Sequence, residues 1–563
     1  MKKIFTSMIV VACGLLMTVG CIKEADPSAL TSNGQIFVSA NQAEEAPGAF
    51  DSFVTSITNS LCGSFTFGGD DNKYPWDFGY PSFYIMRDVM GQDIVATSGG
   101  SEWYTTWYTC GSALQPTSGN AQIPWVYYTG WIKSCNIVIA AAGSDPKPEQ
   151  MAGLGIAHAM RAMFYMDLAR MYAPKSYLQD KNALTVPIVD ENTTKEDAVN
   201  NPRATNEKMW EFILSDLDKA AVELKDYKRT DKYTPDSTVV KGLKARAYLE
   251  IGDWANAELY AKEAQTGYTL LTKEQYLDQK DGFNKPNEAW MFALNFKKED
   301  KNIELNDADS CWGSQMIIEV SGSECGYASN YTGPKRIDAH LYSTIPDTDF
   351  RKMCFLSPDL DDITDPAALV AALEKYTDDP MGVYNTCCAV DKAGVMGCAE
   401  IKFRPKDGIH EDQYAAFCVS VPIMRVEEMY LIEAEAAGMQ DAARGENLLT
   451  AFAKTRDDSY VYGTHNEKYG NTANTAFQNE VWWQRRVELW GEGFATFDIK
   501  RLGKGIIRSY AGTNHLETYR WNTTGNPDWM TFCFHISEAN YNRGIENNPT
   551  PIAPGSDSPE WSW

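Results

Sequence analysis

One short stretch, residues 241–267, limits the fold of this chain more than any other. Ala245 and Tyr248 fall on one face of a first helix, and Gly252 stands where a helix end often needs a left-handed residue. A second helix repeats small and aromatic side chains at spacings of three and four, namely Ala257, Tyr260 and Ala264. The sequence therefore predicts two helices that approach closely, with aromatic rings filling the space that the small residues leave.

A helical pair of this kind has the tetratricopeptide pattern, and one such pair cannot bury its apolar face alone. Similar pairs are predicted for residues 125–142 with 154–172 and for residues 423–437 with 442–454. A further amphipathic helix, residues 210–224, leads into the first pair. We therefore expect a mainly α-helical fold, a tetratricopeptide-like superhelix of about four helical-hairpin units.

Residues 268–420 break this rhythm. Strand-like pieces such as residues 290–296 alternate with turn-rich segments, and no helical period extends far. Loops this long in a compact chain are usually functional or disordered, and the aromatic residues among them favour order. We expect a loop-rich irregular region with a few short strands beside the helical scaffold.

The N-terminus has the features of an exported protein. Lys2 and Lys3 precede an apolar stretch at residues 4–17, and small residues then lead to Cys21. This order of charged, apolar and small residues predicts a secretory signal at residues 1–20 that is removed from the mature chain. We therefore expect Cys21 to become the first residue.

The rest of the chain divides into a tether and a body. Residues 21–45 are small and polar, as in a flexible linker, and residues 46–563 form the body. Within the body we separate an N-terminal part at about 46–267 from a loop-rich and C-terminal part at about 268–563. No stretch after the signal has the 18 or more apolar residues of a membrane span.

The charge of the chain restricts its partners. The formal net charge is -25, and it becomes about -27 when the two lysines of residues 1–20 are removed. Nucleic acid and an anionic membrane surface would both be repelled, so we predict no nucleic-acid partner. Aromatic residues make up 12% of the chain, more than a soluble body usually needs, which leaves neutral ligands open.

No catalytic or metal-binding motif stands out. The six histidines are scattered, without an HExxH, GxSxG or P-loop pattern, and acidic pairs carry little information in a chain with 76 acids. The Asp-rich stretch at residues 359–365 misses the spacing of an EF-hand calcium loop. The 13 cysteines include no CxxC pair, so most are predicted to be buried thiols. We expect no enzyme activity, no cofactor and no metal.

One charged cluster near the C-terminus could be mistaken for a catalytic site. Its members lie on two predicted helices, residues 480–490 and 494–503, and surround the ends of these helices. We therefore interpret the cluster as a buried or half-buried ion-pair network. It consists of Arg485, Arg486, Glu488, Asp498, Lys500 and Arg501.

Several sequence landmarks lie in order along most of the chain. They are Cys21, the helix with Arg161, Phe164 and Tyr165, Pro202–Thr205, Ala245–Trp254, Pro422–Glu435, Arg485–Leu489, Gly493, Phe497 with Asp498, and Lys500 with Arg501. Each landmark is weak alone, but their order and spacing together are specific, and they resemble the SusD/RagB lipoproteins of Bacteroidetes outer membranes.

This resemblance implies a function as well as a fold. Such proteins carry lipid on the cysteine that here is Cys21, which would be the only membrane anchor of this chain. They sit as a lid on a SusC-like TonB-dependent barrel of the outer membrane, facing the cell exterior, and they capture nutrients, most often glycans. The resemblance therefore implies a surface protein that delivers oligosaccharides or polysaccharides to that transporter.

Aromatic residues in predicted loops suit a sugar ligand, because the C–H faces of a sugar ring pack on a flat apolar surface. Two loop regions rich in aromatic and polar residues provide candidates, and polar neighbours such as Glu102, Asp307 and Asp309 could bond the hydroxyls. The predicted ligand-binding residues are Trp103, Tyr104, Trp107, Tyr108, Trp312, Tyr327 and Tyr331.

Two other functions stay open at this point. The RagB branch of the family implies peptides or glycopeptides as cargo, and the sequence does not separate a peptide cavity from an aromatic platform. A secreted glycoside hydrolase is a further alternative that needs a working carboxylate pair.

Overall fold

The structure is a computed structural model that describes residues 48–63, 74–96, 102–320, 326–331, 333–387, 396–527 and 529–563. The predicted signal peptide, the tether and Cys21 lie outside these residues. Helices dominate the described chain, and two small two-stranded sheets accompany them.

The helices of eight or more residues are labelled in chain order. They are α1 (Ala49–Asn59), α2 (Ser82–Met90), α3 (Gly119–Ala142), α4 (Met151–Tyr172), α5 (Asn206–Glu223), α6 (Ser237–Ile251), α7 (Trp254–Ala264), α8 (Pro366–Leu373), α9 (Pro380–Cys387), α10 (Val426–Gln440), α11 (Ala442–Ala453), α12 (Ala476–Glu488) and α13 (Ala495–Leu502).

Short helices and strands fill the connections. The short α-helices are Thr105–Thr109, Lys195–Ala198, Lys273–Tyr276, Lys301–Glu304, Trp312–Met316, Ala339–Thr344, Gln413–Ala416 and Ile536–Tyr541, and Tyr327–Tyr331 is a π-helical turn. The 3-10 turns are Ser60–Cys62, Ser112–Leu114, Pro148–Gln150, Asn306–Ala308, Phe350–Cys354, Pro358–Asp362, Lys406–Gly408 and Glu517–Tyr519. The strands are β1 (Ile94–Val95), β2 (Trp290–Asn295), β3 (Arg336–Ile337) and β4 (Ser420–Arg425).

The long helices stack in one array. Each of α3 to α7 packs on the next, α7 packs on α10, and α10 packs on both α11 and α12. Eight helices stacked in this way correspond to about four helical pairs. The prediction of a mainly α-helical, tetratricopeptide-like superhelix is confirmed.

The hairpin of α6 and α7 forms as its sequence predicts. Gly252 ends α6 with a φ of 74°, and the Asp253 carboxylate caps α7 by accepting a 3.2 Å hydrogen bond from the Asn256 N–H. The Tyr248 and Tyr260 rings stack with their centroids 5.5 Å apart. The two rings thus fill the space between the helices.

Helices α10 and α11 approach each other very closely. A Cβ added at Gly445 would lie 2.2 Å from the Gly438 Cα, so the two backbones touch at this point. The ring of Phe477 packs over the same spot. Only glycine permits so close an approach.

A short antiparallel sheet ties the loop-rich region to this array. Strand β2 pairs with β4, from Trp290 opposite Arg425 to Asn295 opposite Ser420. The strand predicted at residues 290–296 is therefore confirmed. Because β4 runs directly into α10, the sheet fixes the loop-rich region to the last helical pairs.

Eight cysteines of the described chain are free thiols, and all are buried. They are Cys62, Cys110, Cys135, Cys311, Cys354, Cys398, Cys418 and Cys533. Burial raises the pKa of several, for example that of Cys110 to about 11. The prediction of buried thiols is confirmed for these residues.

The charged cluster at α12 and α13 is buried and paired, as predicted. Arg485 and Arg501 both bond the carboxylate of Asp498, at 2.6 and 3.1 Å, and Arg486 bonds Asp93 at 2.6 Å. Lys500 differs, because its ammonium donates to backbone carbonyls, and burial lowers its pKa to about 7.

Glu488, at the end of α12, is the centre of a second buried network. Its carboxylate pairs with Arg351 at 3.2 Å, with Arg425 at 3.1 Å and with Arg456 at 3.1 Å. Burial alone would raise the pKa of Glu488, but the three guanidinium groups outweigh it and hold that pKa well below its usual value near 4.5.

We predict that Glu488→Gln lowers the free energy of unfolding by about 3 kcal/mol, because three buried guanidinium groups lose a shared charge partner and keep only Asp349, Glu427 and Glu492. The wild-type contribution is present above pH 4.5 and is lost as the pH falls through the depressed pKa of the folded state, since the unfolded chain takes up protons first. Urea unfolding at pH 7 and at lower pH measures both effects.

Glu258→Gln is the matched control for this substitution. Glu258 pairs with the half-exposed Arg444 at 2.9 Å, and we expect its loss to cost less than about 1 kcal/mol. Equal costs for the two variants would contradict a central role for Glu488.

Candidate functional site

Two aromatic side chains from distant parts of the sequence meet at the protein surface. Trp103 lies just before the short helix Thr105–Thr109, and Tyr327 begins the π-helical turn Tyr327–Tyr331. Their rings contact edge to face with centroids 6.4 Å apart. Trp103 is 37% exposed and Tyr327 is partly buried, so an aromatic surface remains open to solvent.

One carboxylate lies beside this aromatic pair, and a second carboxylate with a phenol follows from its neighbours in the chain. Asp309 Oδ1 accepts a 2.7 Å hydrogen bond from the Gly326 N–H, directly before Tyr327. Two residues earlier in the chain, Asp307 Oδ1 accepts a 3.1 Å hydrogen bond from the Tyr414 hydroxyl. The surface therefore combines aromatic rings with hydrogen-bonding groups, the combination that a neutral polyhydroxyl ligand needs.

The backbone next to these carboxylates is strained. Asp307 and Ala308 are consecutive non-glycine residues with φ angles of 55° and 61°. Each such residue costs about 1–3 kcal/mol and persists only where the surroundings hold it, which happens most often at functional sites. The strain marks this loop as a constrained part of the surface.

A buried ion pair fixes the segment that carries Trp103. Lys335 Nζ bonds Glu102 Oε2 at 2.6 Å, and both side chains are fully buried. The other oxygen of Glu102 accepts a 3.0 Å hydrogen bond from the Tyr104 N–H. Glu102, which the sequence suggested as a ligand partner, therefore positions the segment that carries Trp103.

Four of the seven predicted binding residues are not on the surface. Tyr104, Trp107, Tyr108 and Trp312 are at most 1% exposed, so the expectation that their rings are displayed on loops is wrong. A sealed ring offers no face to a sugar in this structure.

Local packing explains why three of these rings are buried. Tyr104, Trp107 and Tyr108 follow the i, i+3, i+4 spacing of one helical face, and that face turns inward. The Tyr104 hydroxyl bonds Ser82 on α2 at 2.9 Å, and the Arg508 guanidinium lies 4.3 Å from the Tyr108 ring centroid.

Trp312 is buried for a different reason. It begins the short helix Trp312–Met316 and packs edge to face on Phe403, 5.1 Å away, and on Tyr84, 6.1 Å away. Among the predicted residues, Trp103 and Tyr327 thus stay as surface candidates, whereas the side chain of Tyr331 lies outside the described part.

Lys335 and Tyr414 belong to this region but were missed by the sequence reasoning. Tyr414 is on the short helix Gln413–Ala416, and Lys335 precedes β3. Neither has a periodic or motif signal, because their role depends on contacts between distant segments.

No group of three His, Cys, Asp or Glu side chains in the described residues is arranged to hold a metal ion. Asp361, in the predicted Asp-rich stretch, instead accepts backbone hydrogen bonds from Met396 and Gly397 at 2.7 and 2.9 Å. None of the described helices has the length and apolar character needed to cross a membrane.

The fold is that of the SusD-like proteins. A SusD-like carbohydrate-binding protein of Bacteroides vulgatus is 22% identical, with a TM-score of 0.67 over 88% of this chain and 97% of that one. A SusD superfamily protein of Bacteroides thetaiotaomicron is 20% identical, with a TM-score of 0.63 over 89% and 99% of the two chains. Surface glycan-binding protein A of Bacteroides thetaiotaomicron, solved with laminarihexaose, is 15% identical, with a TM-score of 0.61 over 89% and 99%.

Residues 417–548 match the model of the SusD family. The resemblance to SusD/RagB proteins inferred from the sequence is therefore confirmed, by this segment and by the fold of the chain. No curated protein matches the sequence.

The electrostatics of the site give a test of its geometry. Burial raises the pKa of Asp309 to about 6, although the Gly326 N–H partly offsets this rise. Because the folded state binds the proton more tightly than the unfolded state, the contribution of Asp309 to stability falls as the pH rises from about 4 through 6.

We predict that Asp309→Asn, which keeps an acceptor for the Gly326 N–H, removes this pH dependence. The variant should gain stability relative to the wild type as the pH rises through about 6. Urea unfolding of both proteins between pH 4 and 8 measures the difference, and a difference that does not change with pH would contradict the assignment.

Proposed function

We propose that this protein captures oligosaccharides or polysaccharides at the cell surface and delivers them to a partner TonB-dependent outer-membrane transporter. The observation that carries the proposal is the surface contact of Trp103 with Tyr327 beside the carboxylates of Asp307 and Asp309. The aromatic surface packs against the C–H faces of sugar rings, and the polar atoms bond their hydroxyls.

The charge of the site favours uncharged sugars. Two carboxylates belong to this region, and the ammonium of Lys335 is buried in its pair with Glu102. An anionic glycan would bring its own negative charge close to these carboxylates, which is unfavourable. We therefore assign neutral glycans to this site.

The related structures support a glycan as ligand. Among proteins of the same fold are one described as a laminarin-binding SusD-like protein and a surface glycan-binding protein solved in complex with laminarihexaose. These ligands belong to those proteins, and they make laminari-oligosaccharides a first probe for this one.

Anchoring by lipid on Cys21 is part of the proposal. The N-terminal order of charged residues, apolar stretch and cysteine supports it, because such a segment directs export and lipid attachment. A chain held at the outer membrane by lipid can stay next to a barrel transporter.

The Trp103→Ala variant tests the glycan site. Titration calorimetry with laminarihexaose, maltohexaose, xylohexaose and mannohexaose should show binding of at least one, with a micromolar to millimolar Kd. The variant should bind that sugar about tenfold more weakly, because one aromatic contact contributes about 1 kcal/mol or slightly more.

Tyr541→Ala is the control, since Tyr541 is 54% exposed on a different short helix, Ile536–Tyr541. It should leave the affinity unchanged. Binding of none of the four sugars, together with binding of peptides, would replace the glycan proposal by the peptide alternative. Equal weakening by both variants would remove Trp103 from the site.

The anchor and the transporter have a separate test. In the natural host, the wild-type protein should fractionate with the outer membrane and co-purify with a TonB-dependent barrel, whereas Cys21→Ser should leave the membrane fraction. Membrane retention of Cys21→Ser would contradict the lipid anchor, and purification without a barrel would contradict the transporter partner.

A further inference from the structure

A cleft lies beside residues 294–300, just before the part of the chain that carries Asp307 and Asp309 of the proposed glycan site. It has a volume of about 480 Å³, within the usual range of ligand sites. Helix α1, the start of α4, residues 227–234 and the end of β2 with the following loop form its walls.

The cleft combines aromatic and polar side chains. Tyr227 and Tyr233 are partly buried in its wall, and they leave part of their rings open. Asn59 and Asn295 also line the cleft, and Asn295 Oδ1 accepts a 2.9 Å hydrogen bond from Ser420 Oγ. Side-chain amides beside phenol rings suit a polyhydroxyl ligand.

The charge of the cleft disfavours anionic ligands. Its lining includes the carboxylates of Asp51, Glu149, Asp231 and Asp300, against the single ammonium of Lys297. A sulfated or uronic-acid chain would be repelled, whereas an uncharged chain would not. The cleft therefore has the same charge preference as the site at Trp103.

The two sites are close along the chain. Asp300 lines the cleft, and Asp307 lies in the Trp103 site, with the one-turn helix Lys301–Glu304 between them. Seven residues span at most about 25 Å even when fully extended, and this segment is shorter because it contains a helical turn. Asp300 of the cleft and Asp307 of the Trp103 site are therefore less than about 25 Å apart in space.

We propose that this cleft holds a second segment of the same uncharged glycan that binds at Trp103 and Tyr327. The proposal rests on the proposed function, and it adds that the protein recognises chain length. Long chains contact both places, whereas a disaccharide binds at Trp103 and Tyr327 alone. Two linked contacts strengthen binding without any change in either one.

The Thr55→Trp variant tests the cleft. Thr55 is an exposed residue of α1 that lines the cleft, so the indole fills the space without disturbing the core. Calorimetric titration uses the two-unit and six-unit laminari-, malto-, xylo- and manno-oligosaccharides. We expect a hexasaccharide to bind the wild type about tenfold more tightly than its disaccharide, and Thr55→Trp to remove that advantage while leaving the disaccharide affinity unchanged.

Two further variants keep the result interpretable. Tyr227→Ala should weaken hexasaccharide binding in the same way without blocking the cleft, and Glu211→Trp, on the exposed face of α5, should have no effect. A hexasaccharide affinity that Trp103→Ala lowers but Thr55→Trp and Tyr227→Ala do not would overturn the second cleft alone. Equal affinities for the two lengths would do the same, and binding of no sugar would overturn both proposals.

Discussion

The pairing of one buried carboxylate with three arginines holds this structure together. Glu488 ends α12, Arg425 ends β4, Arg456 follows α11, and Arg351 lies in the loop-rich region. A buried charge without its partner costs several kcal/mol, so these four segments have to assemble together. The network therefore joins the helical array, the small sheet and the irregular region into one body.

That frame determines where the proposed glycan site lies. Strand β4 begins four residues after the helix Gln413–Ala416, which carries Tyr414, and it ends at Arg425 in the Glu488 network. The irregular region is thus fixed at one end by buried charges, and its surface loops bring distant residues together. Rigid scaffolds that support ligand-binding loops are common, because the scaffold supplies the stability that the loops lack.

The sequence predicted the scaffold well because helical periodicity is local. The hairpin at Gly252, the strand after residue 290 and the ion pairs of Arg485 and Arg501 are all present. Ring exposure was harder to predict, since aromatic residues are enriched both in cores and in sugar sites. Tyr104, Trp107 and Tyr108 share a helical face, a spacing typical of buried residues that the prediction of exposed rings did not take into account. The contact of Trp103 with Tyr327 depends on tertiary packing alone.

The buried thiols have a consequence for a chain that is exported from the cytoplasm, as we propose for this one. Disulfide exchange and air oxidation proceed through the thiolate, and burial keeps groups such as Cys110 and Cys533, each with a pKa of about 11, protonated and out of reach of oxidants. Once folded, the protein protects these sulfur atoms by enclosure. Non-native disulfides can therefore form only before the helices have packed, while the thiols are still exposed to an oxidising environment.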